Sequence, residues 1–407
     1  MLLKMAFRNL WRRKFRTLLT ALALGLSYAM TVIFMGLADG SHEQMADIGI
    51  RLKAGHVVVQ GKGYAKKKRL EIRVFHPNRI DAIVHDIDPT VIVCHRIFAM
   101  AALRSADGMV RLDSLVGIQP AREAKISEIA KHMVAGSFLK PGQKGIVIGA
   151  QAAKRLKVAP GDNVVLTTSG IAGRAQEKMP VKGIFRTAGQ AVDTGYAQID
   201  LTTAQRMLGM DHSVTQVALF ANLKKTRRLA HELTKRLSAN LEILTWKQAL
   251  PMLSQFLWLD SASMWVMLLL IFAIVAAGVL NTVLMSVMER TKELGVLKAI
   301  GMTPRRIFFE VAVEAALLGL IALAIGLAVG LPVNHLAEVH GIDIKAFTGA
   351  DSFEGAGVAM TGKMYSKLYL LPVLWTSIGM VLLTVLSALY PGWKAARLKP
   401  VTAIHRT

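Results

Sequence analysis

Two long runs without a charged residue flank a short charged segment, and this arrangement restricts the chain more than any other feature. Upstream, Ser261–Met288 carries no Asp, Glu, Lys or Arg. Downstream, Ile307–Val333 reads as one apolar helix whose only charges are Glu310 and Glu314 near its start. At 1.5 Å per helical residue, either run crosses a hydrocarbon layer about 30 Å thick. The residues between them, 289–306, are then held close to one membrane surface, open to a soluble partner on that side. That is a geometry for passing on force, and it offers nothing to catalysis.

Two further runs are long enough to span, Thr17–Ala38 and Leu368–Trp393. The first exceeds the usual h-region of a signal peptide, about 7–15 residues, so it is read as a retained anchor. Orientation follows from the basic flanks. Lys4, Arg8, Arg12, Arg13, Lys14 and Arg16 precede the first span. Arg290, Lys292, Lys298, Arg305 and Arg306 lie between the second and third, and Lys394, Arg397, Lys399 and Arg406 follow the fourth. With four spans all three flanks share one side, which the positive-inside rule makes cytoplasmic. The expected plan is an interfacial helix at 1–16, spans at 17–38, 261–288, 307–333 and 368–393, and a coupling helix at 289–306. An outer domain with its stalk at 39–260, a short outer loop at 334–367 and a cytoplasmic tail at 394–407 complete it. The fold class is thus a four-helix membrane protein with a large mixed α/β domain between spans one and two.

The net charge is +23. Between residues 39 and 260 there are 32 Lys and Arg against 19 Asp and Glu, so a net +13 falls on the outer domain. Such an excess serves solubility or attraction to acidic partners and anionic headgroups. The clusters at 66–69 and 224–228 lack the interleaved aromatics of a nucleic-acid platform, and no nucleic-acid partner is expected. Cys94 is the single cysteine, within an apolar run. No intramolecular disulfide is available, and the domain must stand on its own core.

Within that domain, Gly55–Gln60, Val91–Arg104, Met109–Ile118, Gly145–Gly149 and Val164–Thr168 have the β-branched or alternating character of strands. Lys125–Met133, Ala150–Lys157, Thr202–Leu208 and the basic segment Leu223–Ser238 read as helices. The expected domain has two lobes, with Trp246–Asp260 as a stalk running straight into the second span. Catalytic patterns are absent from the sequence. There is no phosphate-cradling G-x-x-x-x-G-K-[ST], no H-E-x-x-H and no G-x-S-x-G. His42, His56, His76, His85 and His95 are scattered singly and read as ordinary surface or core residues. No catalytic or metal-binding residue is expected. Glu310 and Glu314, one turn apart and near the cytoplasmic end, are expected to reach water or to pair with Arg305 and Arg306. Asn281 and the Gly326-x-x-x-Gly330 pair are candidates for helix–helix contact.

Four stretches carry a resemblance. Glu289–Gly301, ERTKELGVLKAIG, closely resembles the coupling segment of FtsX-like ABC permeases, the group that contains MacB, LolC and LolE. Met5–Leu18, MAFRNLWRRKFRTL, is similar to the family's N-terminal interfacial helix, and Tyr390–Ile404, YPGWKAARLKPVTAI, to its C-terminal signature. Ile148–Asp162, with Gly183–Thr187 and Asp193, resembles the core of its outer domain. The resemblance implies a non-catalytic permease subunit that works with a second permease, identical or paralogous, and with a dimer of separate cytoplasmic ATPases. Those ATPases would bind ATP and Mg²⁺; this chain would bind no cofactor. By resemblance, Glu289, Arg290, Lys292, Glu293 and Lys298 form the polar face that meets the ATPase. Leu294, Val296, Leu297 and Ile300 form its apolar side, and Gly295 and Gly301 permit close approach and a sharp exit. The layout, with no ATPase fused ahead of it, is most like that of LolC and LolE, which implies release of lipoproteins from a bacterial inner membrane with both termini cytoplasmic. A periplasmic carrier or adaptor and membrane lipids are the other implied partners. The alternatives within the family are MacB-like efflux of amphiphiles and FtsX-like signalling to an envelope enzyme.

Overall fold

The architecture is that of a computed structural model, which describes residues 5, 6, 8, 9, 11, 14–187, 189–222, 225–349 and 352–397. Lys4, Arg12, Arg13, Lys399 and Arg406 of the basic flanks lie outside the described residues. So do Leu223 and Lys224, and the tail and C-terminal signature beyond Arg397. The chain divides into two units. One comprises Met1–His42, Leu259–Ile342 and Met364–Thr407, the other Glu43–Trp258 and Asp343–Lys363.

Among the described residues four helices are long and apolar enough to cross a membrane: α1 (Lys14–Lys53), α2 (Pro251–Glu289), α4 (Pro304–His340) and α5 (Leu370–Ala396), with the short α3 (Thr291–Ala299) between α2 and α4. In the first unit, α1 and α4 approach through small residues. A Cβ on Gly326 would lie 2.8 Å from the Gly25 carbonyl oxygen, and one on Gly36 would lie 2.0 Å from Asn334 Oδ1. The space saved at Gly36 is used by a hydrogen-bonded node, which satisfies an amide that lipid cannot. Asn334 Nδ2 donates to the carbonyls of Val32 and Gly330, both at 3.0 Å, and its Oδ1 accepts from Ser366 Oγ at 2.5 Å. Tyr28, almost fully buried, shares a 2.6 Å hydrogen bond with Ser377 on α5. The α2 helix contributes Val275, Val279, Val283 and Val287 to this core, one every fourth residue, so a single face is buried. Its opposite face leaves Ala273, Ala277, Gly278, Asn281 and Met285 exposed.

The second unit is built on ten strands: β1 (Val57–Gly61), β2 (Ile92–Arg104), β3 (Met109–Ile118), β4 (Met133–Gly136) and β5 (Ile146–Gly149), then β6 (Asn163–Gly170), β7 (Gly173–Phe185), β8 (Tyr196–Asp200), β9 (Gln216–Phe220) and β10 (Leu241–Thr245). The sheet order is β10-β1-β9-β2-β3-β8-β5-β7-β4, and β6 pairs with both β2 and β7. Strands β2, β3, β8, β5, β7 and β6 therefore close into a ring, while β9, β1 and β10 extend from it as an open flange. One long strand serves both parts. The first half of β2 pairs with β9 (Cys94 opposite Ala218) and the second half with β6 (Ala101 opposite Thr168). An irregularity against β3 between Ala99 and Ala101 marks the change of partner, where a bulge lets a strand bend. Ring and flange share one apolar core running from Val57 and Val93 to Leu166 and Leu208. In the sequence these appeared as two lobes; in the structure one sheet is continuous between them.

The structure adds one feature to the expected plan and corrects two readings. First, beyond the expected span at 17–38, α1 runs on as helix to Lys53. Its last turns bury Met45, Ile50 and Leu52 in this unit, so packing carries the helix past the point where hydropathy falls. Second, the stalk is not straight from Trp246. A short helix, Trp246–Ala249, ends at Leu250, and α2 begins at Pro251. Proline has no N–H for the preceding turn and disfavours helical backbone in the residue before it. Third, Lys125–Met133 is not one helix. Ser127 caps a separate turn, Glu128–Lys131, by accepting from the Ile129 N–H.

Candidate coupling site

The turn between α2 and α3 is a single residue, Arg290, with φ −99° and ψ 13°. On the far side, Gly301 takes φ +103°, a conformation that favours glycine, and Pro304 opens α4 after Thr303. The segment is thus short and closed at both ends. It is also tied down. Lys298 Nζ donates to the Ala396 carbonyl at 2.8 Å, an ammonium placed on the C-terminal carbonyls of α5 where the helix dipole is negative.

Arg290 does not face outward. Its guanidinium donates to Glu314 Oε2 at 3.1 Å and Glu310 Oε1 at 3.3 Å, and its Nε lies 3.5 Å from Glu293 Oε2. The expected pairing of Glu310 and Glu314 with Arg305 and Arg306 is therefore corrected. Those arginines are exposed at the first turn of α4, whereas Glu310 and Glu314 lie on its inward side. Glu310 is 1% exposed. Its Oε1 also accepts from Asn9 Nδ2 at 2.9 Å, and its Oε2 has no hydrogen-bond partner among the described residues. Arg16 Nη1 donates to Glu289 Oε2 at 3.0 Å. A cavity of about 50 Å³ lies beside these groups, lined in part by Asn9, Arg16, Arg290, Glu310 and Glu314.

The α3 residues divide by face. Thr291, Leu294 and Gly295 are buried, Leu297 and Lys298 half-buried, and Lys292, Glu293, Val296, Ala299 and Ile300 exposed. Of the residues assigned to an ATPase-facing surface, Lys292, Glu293, Val296 and Ile300 present one; Arg290, Leu294 and Gly295 pack inward. Glu289 is exposed and held by Arg16, and Gly301 is exposed in the exit turn. Asn281 lies away from this cluster, on the open face of α2. Sequence reasoning missed Asn9 and Arg16 as partners of Glu310 and Glu289. The only signal was the polar spacing within the N-terminal helix.

A second polar cluster lies in the other unit, at the C-terminal end of α1. Arg96 on β2, with a fully buried side chain, donates to the carbonyls of Arg51 at 2.7 Å and Ala54 at 3.1 Å. It pairs with Glu123 through two bonds, 2.6 and 3.1 Å. Beside it, His95 Nε2 meets Asp81 Oδ1 at 2.7 Å, and Arg122 Nη1 donates to Asp81 Oδ2 at 2.7 Å. Burial pushes the Asp81 carboxyl up, but the hydrogen bonds and charges of His95 and Arg122 outweigh it and hold the group below the usual carboxylate range. His56, by contrast, is pushed down by burial, which the Asp47 charge opposes and the Arg51 charge reinforces. Among the described residues no group of three His, Cys, Asp or Glu could hold a metal ion.

Residues 17–234 match the MacB-like periplasmic core domain, and residues 265–400 match the FtsX-like permease C-terminal family. The lipoprotein-releasing system transmembrane protein LolC of Xylella fastidiosa is 25% identical over 397 residues, covering 94% of this chain and 92% of its own. LolE of Haemophilus influenzae is 22% identical with the same coverage. The macrolide export ATP-binding/permease protein MacB of Agrobacterium fabrum is 26% identical over 435 residues, covering 99% of this chain and 60% of its own. The helix α3, most of the four apolar helices and most of the α/β unit thus lie within two matched segments that together take in most of the sequence. The chain belongs to the FtsX-like permeases with a MacB-like periplasmic core domain, and it is an ABC transporter permease of the LolC and MacB type.

Proposed function

We propose that this permease transmits the work of a separate cytoplasmic ATPase dimer to its outer domain, and that the work releases lipoproteins from the inner membrane. One observation carries the mechanical part: Lys292, Glu293, Val296 and Ile300 stand exposed on a helix whose other face is locked into the bundle. A docking surface on a rigid mount passes displacement on; the same surface on a loose loop would absorb it. ATP and Mg²⁺ belong to the partner subunit, and a second permease completes the pair. The release of lipoproteins rests on LolC and LolE, whose names state that activity. Export of other amphiphiles is the second reading, favoured by alignment with a macrolide exporter along 99% of this chain.

The test has two arms. Lys292→Glu with Val296→Asp should leave a monodisperse, folded permease that co-purifies at least about tenfold less ATP-binding subunit, since a reversed charge and a buried carboxylate each oppose docking. Undiminished co-purification would remove α3 as the docking element. Depletion of the chain should leave lipoproteins in the inner membrane, whereas normal lipoprotein sorting with heightened sensitivity to amphiphilic compounds would select the second reading.

A further inference from the structure

We propose that Arg290 is an internal joint that carries the movement of α3 into α4, and is not part of the surface that meets the ATPase. The inference rests on the coupling role proposed above and assigns to it the residue through which the motion passes. Three observations support it. Arg290 and its two partners on α4 are covered, with side chains 16% exposed for Arg290 and 2% and 16% for Glu310 and Glu314. A soluble partner has little to grip there. One guanidinium reaches two carboxylates a turn apart on α4 and a third, Glu293, on α3, while Asn9 joins Glu310 from ahead of α1. Arg290 is also the only residue separating α2 from α3, so rotation of α3 about that point must move the guanidinium.

Glu310 supplies the remaining feature. Among the described residues its buried Oε2 has no hydrogen-bond partner. In the arrangement seen, Arg290 bridges two glutamates with one hydrogen bond to each. The open oxygen offers a second arrangement, a two-bond fork on Glu310 alone that gives up Glu314. A side chain with two discrete seats can be biased by a small displacement of α3, and that bias is what a joint between two sites requires. A buried ionic cluster is weak evidence for added stability, so the test must separate signalling from packing.

The permease is expressed with the ATP-binding subunit that co-purifies with the wild-type chain, and affinity, ATP turnover and thermal stability are measured. Arg290→Lys keeps the charge but cannot bridge both carboxylates. It should fold, bind the ATPase with wild-type affinity and lose about fivefold or more in turnover, the range of an ordinary coupling energy. Arg290→Gln with Glu310→Gln and Glu314→Gln replaces the charges with mutually bonding amides. It should hold affinity and thermal stability while turnover stays at least about fivefold down. Full turnover in either variant would overturn the joint and leave the docking role standing. Lost affinity in a folded variant would place Arg290 on the docking surface and likewise overturn it. If no ATP-hydrolysing subunit accompanies the wild-type chain, the coupling role and the joint fall together.

Discussion

Arg96 and Glu123 meet as a two-bond ion pair in the interior of the outer unit, with Nη2 to Oε1 at 2.6 Å and Nε to Oε2 at 3.1 Å. The same guanidinium donates to the carbonyls of Arg51 and Ala54, which have no helical partner at the end of α1. Five donors in a planar fork suit this double duty, and lysine could not perform it. Removing one member of a buried pair strands the other charge at a cost of about 3–5 kcal/mol, while replacing both by apolar residues costs less. Arg96→Ala should therefore unfold well below wild type in a thermal or denaturant melt. Arg96→Met with Glu123→Leu should recover part of the loss. Equal stability of Arg96→Ala and wild type would show that the pair does not hold the end of α1.

Glycine positions on the spans are expected to differ sharply in tolerance. A Cβ at Gly326 meets the Gly25 carbonyl and Tyr28, whereas one at Gly278 on α2 meets nothing within 4 Å. Gly326→Leu forces α1 and α4 apart and should cost about 1–3 kcal/mol, the usual range for overpacking. Gly278→Ala should be neutral in the isolated chain. Thermal melts in detergent check both, and a neutral Gly326→Leu would deny close packing of α1 on α4.

Acid should weaken the outer unit partly through Asp81. Its folded pKa is depressed, so its contribution is present above the unfolded carboxylate value, about 3.9, and is lost as pH falls below it. Wild type should lose stability more steeply below about pH 4 than Asp81→Asn, although the variant starts lower at neutral pH. The slope of melting temperature against pH is the measurement. Equal slopes would mean that His95 and Arg122 do not stabilise the ionised carboxylate.

Cys94 should be silent to thiol reagents in the folded protein. Burial first, and Glu123 second, push its thiol up to about 12, which leaves almost no thiolate at working pH. An impermeant maleimide should label wild type only after denaturation, and should label Lys62→Cys from outside intact cells. Lys62 is the better site because β1, Val57–Gly61, is buried throughout. Labelling of Lys62→Cys only after the inner membrane is opened would reverse the proposed orientation.

How much of this was legible follows from the range of the interactions. The four spans are visible because a continuous apolar run needs no knowledge of its neighbours, and the β-branched or alternating character of 109–118 gives β3 at its observed bounds, Met109–Ile118. The extension of α1 to Lys53 was hidden, because the contacts that hold it lie in strands read as independent elements. The Arg290 cluster was hidden for a related reason. Spacing pointed Glu310 and Glu314 to the nearest basic residues, Arg305 and Arg306, but helical geometry turns those arginines outward and brings in Arg290 from the turn between α2 and α3. Arg96 looked like one cation among many. Only its placement opposite a helix end gives it a task.

The uninterrupted course of α1 from Lys14 to Lys53 has one more implication. No proline interrupts it, and its final carbonyls are gripped by Arg96. The last turn of α1 should therefore resist fraying, and its amides should exchange slowly for a helix end.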